Sequence, residues 1–150
     1  MRKTFLVSLL VVLAIASVAW AAGEEEEVAR VIVQRVQAFN EGNIEAFTAT
    51  FADNAAVTPP GSPFRIEGKD ALRAYYAGLF QAFPTRRFVA RQGSIRVYGG
   101  TTAVTNAYYT LTLVDRAGKV TTIHGRINVT YVKVGDRWLT VDQHASAVPQ

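Results

Sequence analysis

The end of the chain alternates between apolar and polar residues, and residues 119–148 read KVTTIHGRINVTYVKVGDRWLTVDQHASAV. A period of two, in residues that are largely β-branched or aromatic, predicts β-strands with two chemically different faces. The pair Gly135-Asp136 is a turn signal between two such runs. Strands joined by so short a connection pair in antiparallel fashion, so this stretch predicts a β-hairpin.

The hairpin ends a longer series of predicted strands. The alternation begins after Pro84, and two further glycine-containing turns divide it. The predicted strands are Phe88–Tyr98, Thr101–Val114, Lys119–Val134 and Trp138–Val148. Because each connection is short, the four strands are expected to form an antiparallel meander.

Two amphipathic helices are predicted before this meander. The first follows the acidic run Glu24–Glu27, has apolar residues three and four positions apart, and ends at Gly42. A later helix runs from Lys69 to Phe83, with Pro84 as its stop. In that helix Tyr76 belongs to an aromatic stripe that is expected to pack under the sheet, with a hydroxyl available to a pocket.

The segment between these helices predicts a short helix and an irregular loop. Asn43 is a predicted N-cap, and Phe47 and Phe51 share one face of a helix that ends at Asp53-Asn54. A short strand is expected at residues 56–58, before the proline-rich loop 59–63. Helices followed by a meander predict an α+β domain whose helices pack on one side of a curved sheet.

Length and composition limit the function. The chain has 150 residues, which suit one domain, and a net charge of +4. Without Arg2 and Lys3 there are fourteen basic residues against twelve acidic ones, which gives little support for a nucleic-acid partner. There is no cysteine and there are only two histidines, so a cysteine zinc site and a thiolate nucleophile are excluded, and no metal or cofactor is expected.

The first 21 residues have the pattern of a secretory signal peptide. A basic start precedes the apolar stretch Phe5 to Val18, and Ala19-Trp20-Ala21 provides small residues at the cleavage positions. We therefore predict export to the periplasm or the medium, cleavage after Ala21, and a domain over residues 22–150 with no stable membrane insertion. An uncleaved anchor is the alternative, since about 20 uncharged residues can span a bilayer.

The last hairpin carries the candidate site. One face of its strands is apolar (Ile123, Ile127, Val129, Tyr131, Leu139, Val141 and Ala145), whereas Trp138 and Thr140 are predicted on the other face with a polar cluster. That predicted cluster consists of His124, Arg126, Asn128, Asp142, His144 and Ser146. Antiparallel register places Arg126 opposite His144 or Ser146, and Asn128 opposite Asp142 or His144.

Three interpretations of this polar cluster remain open. It can be a solvated or subunit-contacting face, or it can be the floor of a pocket in which Arg126 binds a carboxylate. In an enzyme, Asp142 or His144 would abstract a proton without a cofactor while Arg126 stabilises the oxyanion. A hydrolase triad is disfavoured, because Asp142, His144 and Ser146 alternate along one strand and lack the sharp turn of a nucleophile elbow.

The element order and the closing hairpin, 124–133 and 137–149, resemble SnoaL-like, SgcJ/EcaC-type members of the nuclear transport factor 2-like superfamily. These are related to the calcium/calmodulin-dependent kinase II association domain. Relatives typically end in two histidines and two serines, where this chain has Gln143, His144, Ala145 and Ser146. The resemblance implies a conical cavity, dimers through the sheet faces, and either small-ligand binding or cyclase, isomerase or dehydratase activity.

The sequence thus predicts an exported homodimer that binds a small, carboxylate-bearing ligand, with His124, Arg126, Asn128, Ser146 and Tyr76 as ligand-binding residues. The first alternative is an isomerase, cyclase or dehydratase that uses Asp142 or His144 as its base. The second is an envelope assembly or interaction module with a vestigial pocket.

Overall fold

The computed structural model describes residues 23–148. The predicted signal peptide, residues 1–21, lies outside the described residues. In the described part of the chain no helix is both long enough and apolar enough to cross a membrane.

Three helices precede or interrupt the sheet. Helix α1 covers 23–41, α2 covers Ile44–Thr48 and α3 covers Lys69–Ala82. Gly42, at a φ of 75°, follows α1, and Asn43 caps α2 by accepting a hydrogen bond from the Ala46 amide at 3.0 Å. The predicted cap is thus confirmed, and α3 begins where predicted and ends one residue early.

Six strands form one sheet. They are β1 (Phe51–Thr58), β2 (Ile66–Glu67), β3 (Thr85–Tyr98), β4 (Thr102–Val114), β5 (Val120–Val134) and β6 (Arg137–Ala147). The order across the sheet is β2-β1-β6-β5-β4-β3. All neighbours are antiparallel except β1 and β6, which pair in parallel.

This arrangement confirms the predicted α+β fold, in which helices pack on one side of a curved sheet. The face toward α1 and α3 is here called the inner face, and the opposite one the outer face. Two apolar clusters fill the space between helices and inner face: one surrounds Phe47 and Leu72, and the other joins Val28 to Tyr131 and Trp138. The four-strand meander is present, with β1 and β2 as additional strands.

The assignment of Phe51 to the second helix is wrong. Helix α2 ends at Thr48, and Phe51 is the fully buried first residue of β1, opposite Thr140 of β6. Likewise, Asp53-Asn54 lies within β1 and does not end a helix. Parallel pairing with a strand far along the sequence decides the conformation here, and a four-residue spacing of aromatic residues cannot reveal it.

A β-bulge in β6 changes which residues face inward. Thr130 lies opposite Asp142 but Tyr131 lies opposite Thr140, so Val141 is an extra residue on β6. Trp138 and Thr140 are consequently buried on the inner face, and their predicted place beside Asp142 is wrong.

Candidate ligand-binding cavity

The predicted polar cluster lies on the outer face of the sheet. Arg126 is opposite Ser146 and Asn128 is opposite His144, which are two of the pairings that the sequence allowed. Both Arg126 and Asn128 are exposed, as are His124, Asp142 and His144, whereas Ser146 is half-buried. The guanidinium carbon of Arg126 lies 5.4 Å from the ring centroid of Tyr108, and His124 Nδ1 is 3.1 Å from Thr110 Oγ1.

The cavity is on the other side of the sheet. It has a volume of about 490 Å³ and lies between the helices and the inner face. The residues that border it are mostly apolar, and they include Phe39, Phe47, Leu79, Phe88, Leu111 and Ile127. Val33 and Tyr75 border the cavity and are also exposed to solvent, at 64% and 36%, which marks its mouth.

The expectation that Arg126 forms the floor of this cavity is therefore wrong in its placement. Among the six ligand-binding and catalytic candidates of the last hairpin, none borders the cavity, because even-numbered residues of β5 point outward and odd-numbered ones inward. Tyr76 of α3 does border it, as its place in the aromatic stripe allowed.

A different arginine provides the cavity's positive charge. Arg35 of α1 is only 7% exposed, and its Nη2 donates a hydrogen bond to Gln143 Oε1 of β6. Its guanidinium carbon lies 4.6 Å from the ring centroid of Phe51 and 5.4 Å from that of Phe47. Arg35 Nε has no hydrogen-bond partner, and no carboxylate of the described residues lies within 4.0 Å of the guanidinium. A buried cation in this state is incompletely compensated.

The other buried arginine has a contrasting environment. Arg86 of β3 is also 7% exposed, but its Nε donates to Phe39 O at 3.1 Å and its Nη1 to Phe83 O at 2.7 Å. A further bond of 3.4 Å joins its Nη2 to Asn40 O. These carbonyl groups belong to the ends of α1 and α3, so Arg86 links the two helices to the sheet. These carbonyl acceptors explain why Arg86 is buried, whereas Arg35 has no comparable set of acceptors.

Tyr76 completes the polar end of the cavity. It is 6% exposed, and burial raises the pKa of its phenol to about 12, although the charge of Arg35 and a hydrogen bond with Gln143 act in the opposite direction. The phenol is therefore neutral at physiological pH and can donate a hydrogen bond. Arg35, Gln143 and Tyr76 together form what is called below the polar end.

Two of these three residues were missed in the sequence, although each had a signal. Arg35 lies three residues after Ile32 and four before Phe39, so the helical period puts a charged residue on the apolar face of α1. Gln143 has an odd number on β6, like the inward-facing Ala145. In both cases a polar residue interrupts an apolar face. A buried polar residue is more informative than a single exposed apolar one.

Residues 24–149 match the family model of the calcium/calmodulin dependent protein kinase II association domain. Among curated proteins, none matches the sequence.

Several solved structures share the fold. A candidate association domain of this kind from Xanthomonas campestris is 24% identical, with a TM-score of 0.74 over 83% of this chain and 87% of that one. A candidate scytalone dehydratase from Novosphingobium aromaticivorans is 16% identical, with a TM-score of 0.81 over 88% and 89%. A nuclear transport factor 2-like superfamily protein from Salmonella enterica is 18% identical, with a TM-score of 0.77 over 86% and 94%. At these identities the likeness concerns the fold alone.

Proposed function

Because the chain belongs to the calcium/calmodulin dependent protein kinase II association domain family, we propose that it is an exported, dimeric domain that binds a small carboxylate-bearing molecule in its cavity. The observation that carries this proposal is the state of Arg35. A guanidinium that is removed from water needs an anion or a full set of acceptors, and Arg35 has one amide oxygen and two aromatic faces. A ligand carboxylate at the polar end would supply the missing charge.

The rest of the cavity suits the apolar body of such a ligand. Sites for small molecules usually have apolar walls and a few convergent polar groups that fix the orientation of the ligand. Here Arg35, Gln143 and Tyr76 converge at one end, where Arg35 and Tyr76 can both donate to an anion. The ligand class that fits is a monocarboxylic acid with an apolar remainder.

Catalysis by the predicted base finds no support in this arrangement. Asp142 and His144 are exposed on the outer face, whereas the enzyme interpretation requires them to face the enclosed side. The cavity-bordering residues of the described chain include no carboxylate and no imidazole, and the pKa of about 12 makes Tyr76 a poor base at neutral pH. Gln143, which stands where the resemblance of the closing hairpin implies a histidine, is buried.

The proposal is tested by calorimetric titration of the protein with octanoate. We expect binding by the wild-type protein and a loss of about tenfold to a hundredfold in Arg35→Met, because one charge-assisted contact is removed. Arg126→Met is the matched control, since it deletes the same group on the outer face, and it should bind octanoate as the wild type does. Equal loss in both variants, or binding that is insensitive to Arg35, would contradict the proposal.

A further inference from the structure

One glycine of the meander lies directly under an aromatic ring. Gly125 of β5 is paired with Tyr109 of β4, and both are buried on the inner face. A Cβ atom at position 125 would overlap Cζ and the hydroxyl of Tyr109, as well as the backbone oxygen of Ser146. The phenol end of Tyr109 therefore occupies the space that a side chain at position 125 would fill.

A second ring lies on the first. Phe88 of β3 and Tyr109 are stacked, with ring centroids 5.2 Å apart and ring planes at 20°. Phe88 is half-buried, and both residues border the cavity. Together they are called the aromatic wall.

The hydroxyl of Tyr109 does not explain the presence of this residue. It is buried and has no hydrogen-bond partner among the described residues, and burial raises the pKa of the phenol. The ring is thus the part of Tyr109 that the cavity uses.

The aromatic wall lies away from the polar end. Gln143 is paired with Val129 and Tyr109 with Gly125, so the two ends are four residues apart along β5. Four residues of a strand correspond to roughly 13 Å at about 3.3 Å per residue. A molecule that contacts both the polar end and the aromatic wall must carry its carboxylate at one end and the group that contacts the wall at the other.

We propose that the aromatic wall, which Gly125 allows to lie close against the sheet, is a specificity-determining subsite that selects acids with an aromatic ring at the end opposite the carboxylate. The inference rests on the proposed function and names its ligand class. An aromatic ring of the ligand can pack against the rings of Phe88 and Tyr109, either stacked or edge to face. Such pairs add to the binding free energy that the burial of apolar area provides.

The test compares two acids that differ only in the π system, phenylbutanoate and cyclohexylbutanoate. A pocket that recognises apolar area alone prefers the cyclohexyl acid, because its ring has more apolar surface. We expect the wild-type protein to bind the phenyl acid about two- to tenfold more tightly than the cyclohexyl acid. In Phe88→Leu this preference should vanish while the cyclohexyl acid still binds.

Phe64→Leu is the matched control, because it makes the same change at a ring that is 78% exposed and does not border the cavity, and it should retain the preference. A wild-type preference for the cyclohexyl acid, or an unchanged preference in Phe88→Leu, would overturn the inference. Arg35→Met distinguishes the binding function from the aromatic subsite. If Arg35→Met weakens binding of both acids by about tenfold or more while Phe88→Leu leaves the ratio of their affinities unchanged, the binding function stands and the aromatic subsite does not. If neither acid binds to the wild type, both fail together.

Discussion

Arg35 Nη2 donates a hydrogen bond to Gln143 Oε1, although 108 residues separate the two in the chain. The contact joins the first helix to the last strand across the cavity. With its amide oxygen on Arg35, Gln143 hydrogen-bonds to the Tyr76 hydroxyl through its amide nitrogen, so the phenol hydrogen stays available as a donor at the polar end. The polar end thus presents mainly donors, which is the chemistry that an anion requires.

The two buried arginines should differ in their effect on stability. We expect Arg86→Met to lower the free energy of unfolding by about 2 to 4 kcal/mol, because the carbonyl oxygens at the ends of α1 and α3 lose their donor. Arg35→Met should change it by less than about 1 kcal/mol or should raise it, since an incompletely compensated buried charge is removed. Urea denaturation of both variants without ligand measures the difference, and similar losses would show that Arg35 is also structural.

Stability should fall at alkaline pH through Tyr76. The folded state raises the phenol pKa from its ordinary value of 10.0 to about 12, so Tyr76 of the unfolded chain ionises first. The contribution of Tyr76 to the free energy of unfolding is fully present below pH 10. It decreases as pH rises toward 12, by about 1.4 kcal/mol for each pH unit. Denaturation at a series of alkaline pH values should show this slope in the wild type, and the slope should be reduced in Tyr76→Phe.

Two glycine substitutions should change the free energy of unfolding in opposite directions. Gly125→Ala should lower the free energy of unfolding by about 1 to 3 kcal/mol, because the new Cβ overlaps Tyr109 and the Ser146 backbone. Gly78→Ala, in helix α3, meets no atom within 4 Å and should raise it by up to about 1 kcal/mol. Thermal or urea unfolding of both variants provides the measurement, and a neutral Gly125→Ala would contradict the close approach.

The proposed homodimer should form through the outer face. Tyr108 is 46% exposed there, next to Arg126, and nothing in the described chain covers it. We expect Tyr108→Glu to weaken dimerisation by at least about tenfold, because it places a carboxylate in the subunit contact. Sedimentation equilibrium measures the dissociation constant. Gln81→Glu, which adds the same charge on exposed helix α3, should leave it unchanged, and a monomeric wild type would exclude this interface.

The sequence is sufficient for the four strands of the meander and for the two long helices, because each has a strong and regular period. It also separated the two faces of β5 correctly, with Ile127 on one and Arg126 on the other. The sequence does not show which face borders the cavity. The polar face of an alternating strand can be exposed to solvent or can line a pocket, and the alternation is the same in both cases. Which face borders the cavity depends on where α1 packs, which is a property of the whole chain.

The bulge at Val141 explains why the alternation of β6 assigns some residues to the wrong face. One extra residue reverses the alternation, so Thr140 and Gln143 both point inward although their numbers differ in parity. Parallel pairing of β1 with β6 was equally invisible, and Phe51 was assigned to a helix as a result. The polar end consists of residues brought together by these non-local features, which a local period does not encode.

The parallel pairing of β1 with β6 also has a consequence for biosynthesis. During translation α1 and β1 are made early, but β6, which contacts both, is made last. The emerging chain therefore holds Arg35 without Gln143 and Phe51 without Thr140. A chain interrupted before β6 therefore has an open sheet edge and no polar end, which makes it a target for aggregation or proteolysis. The proposed ligand could assist folding only after synthesis has passed residue 143.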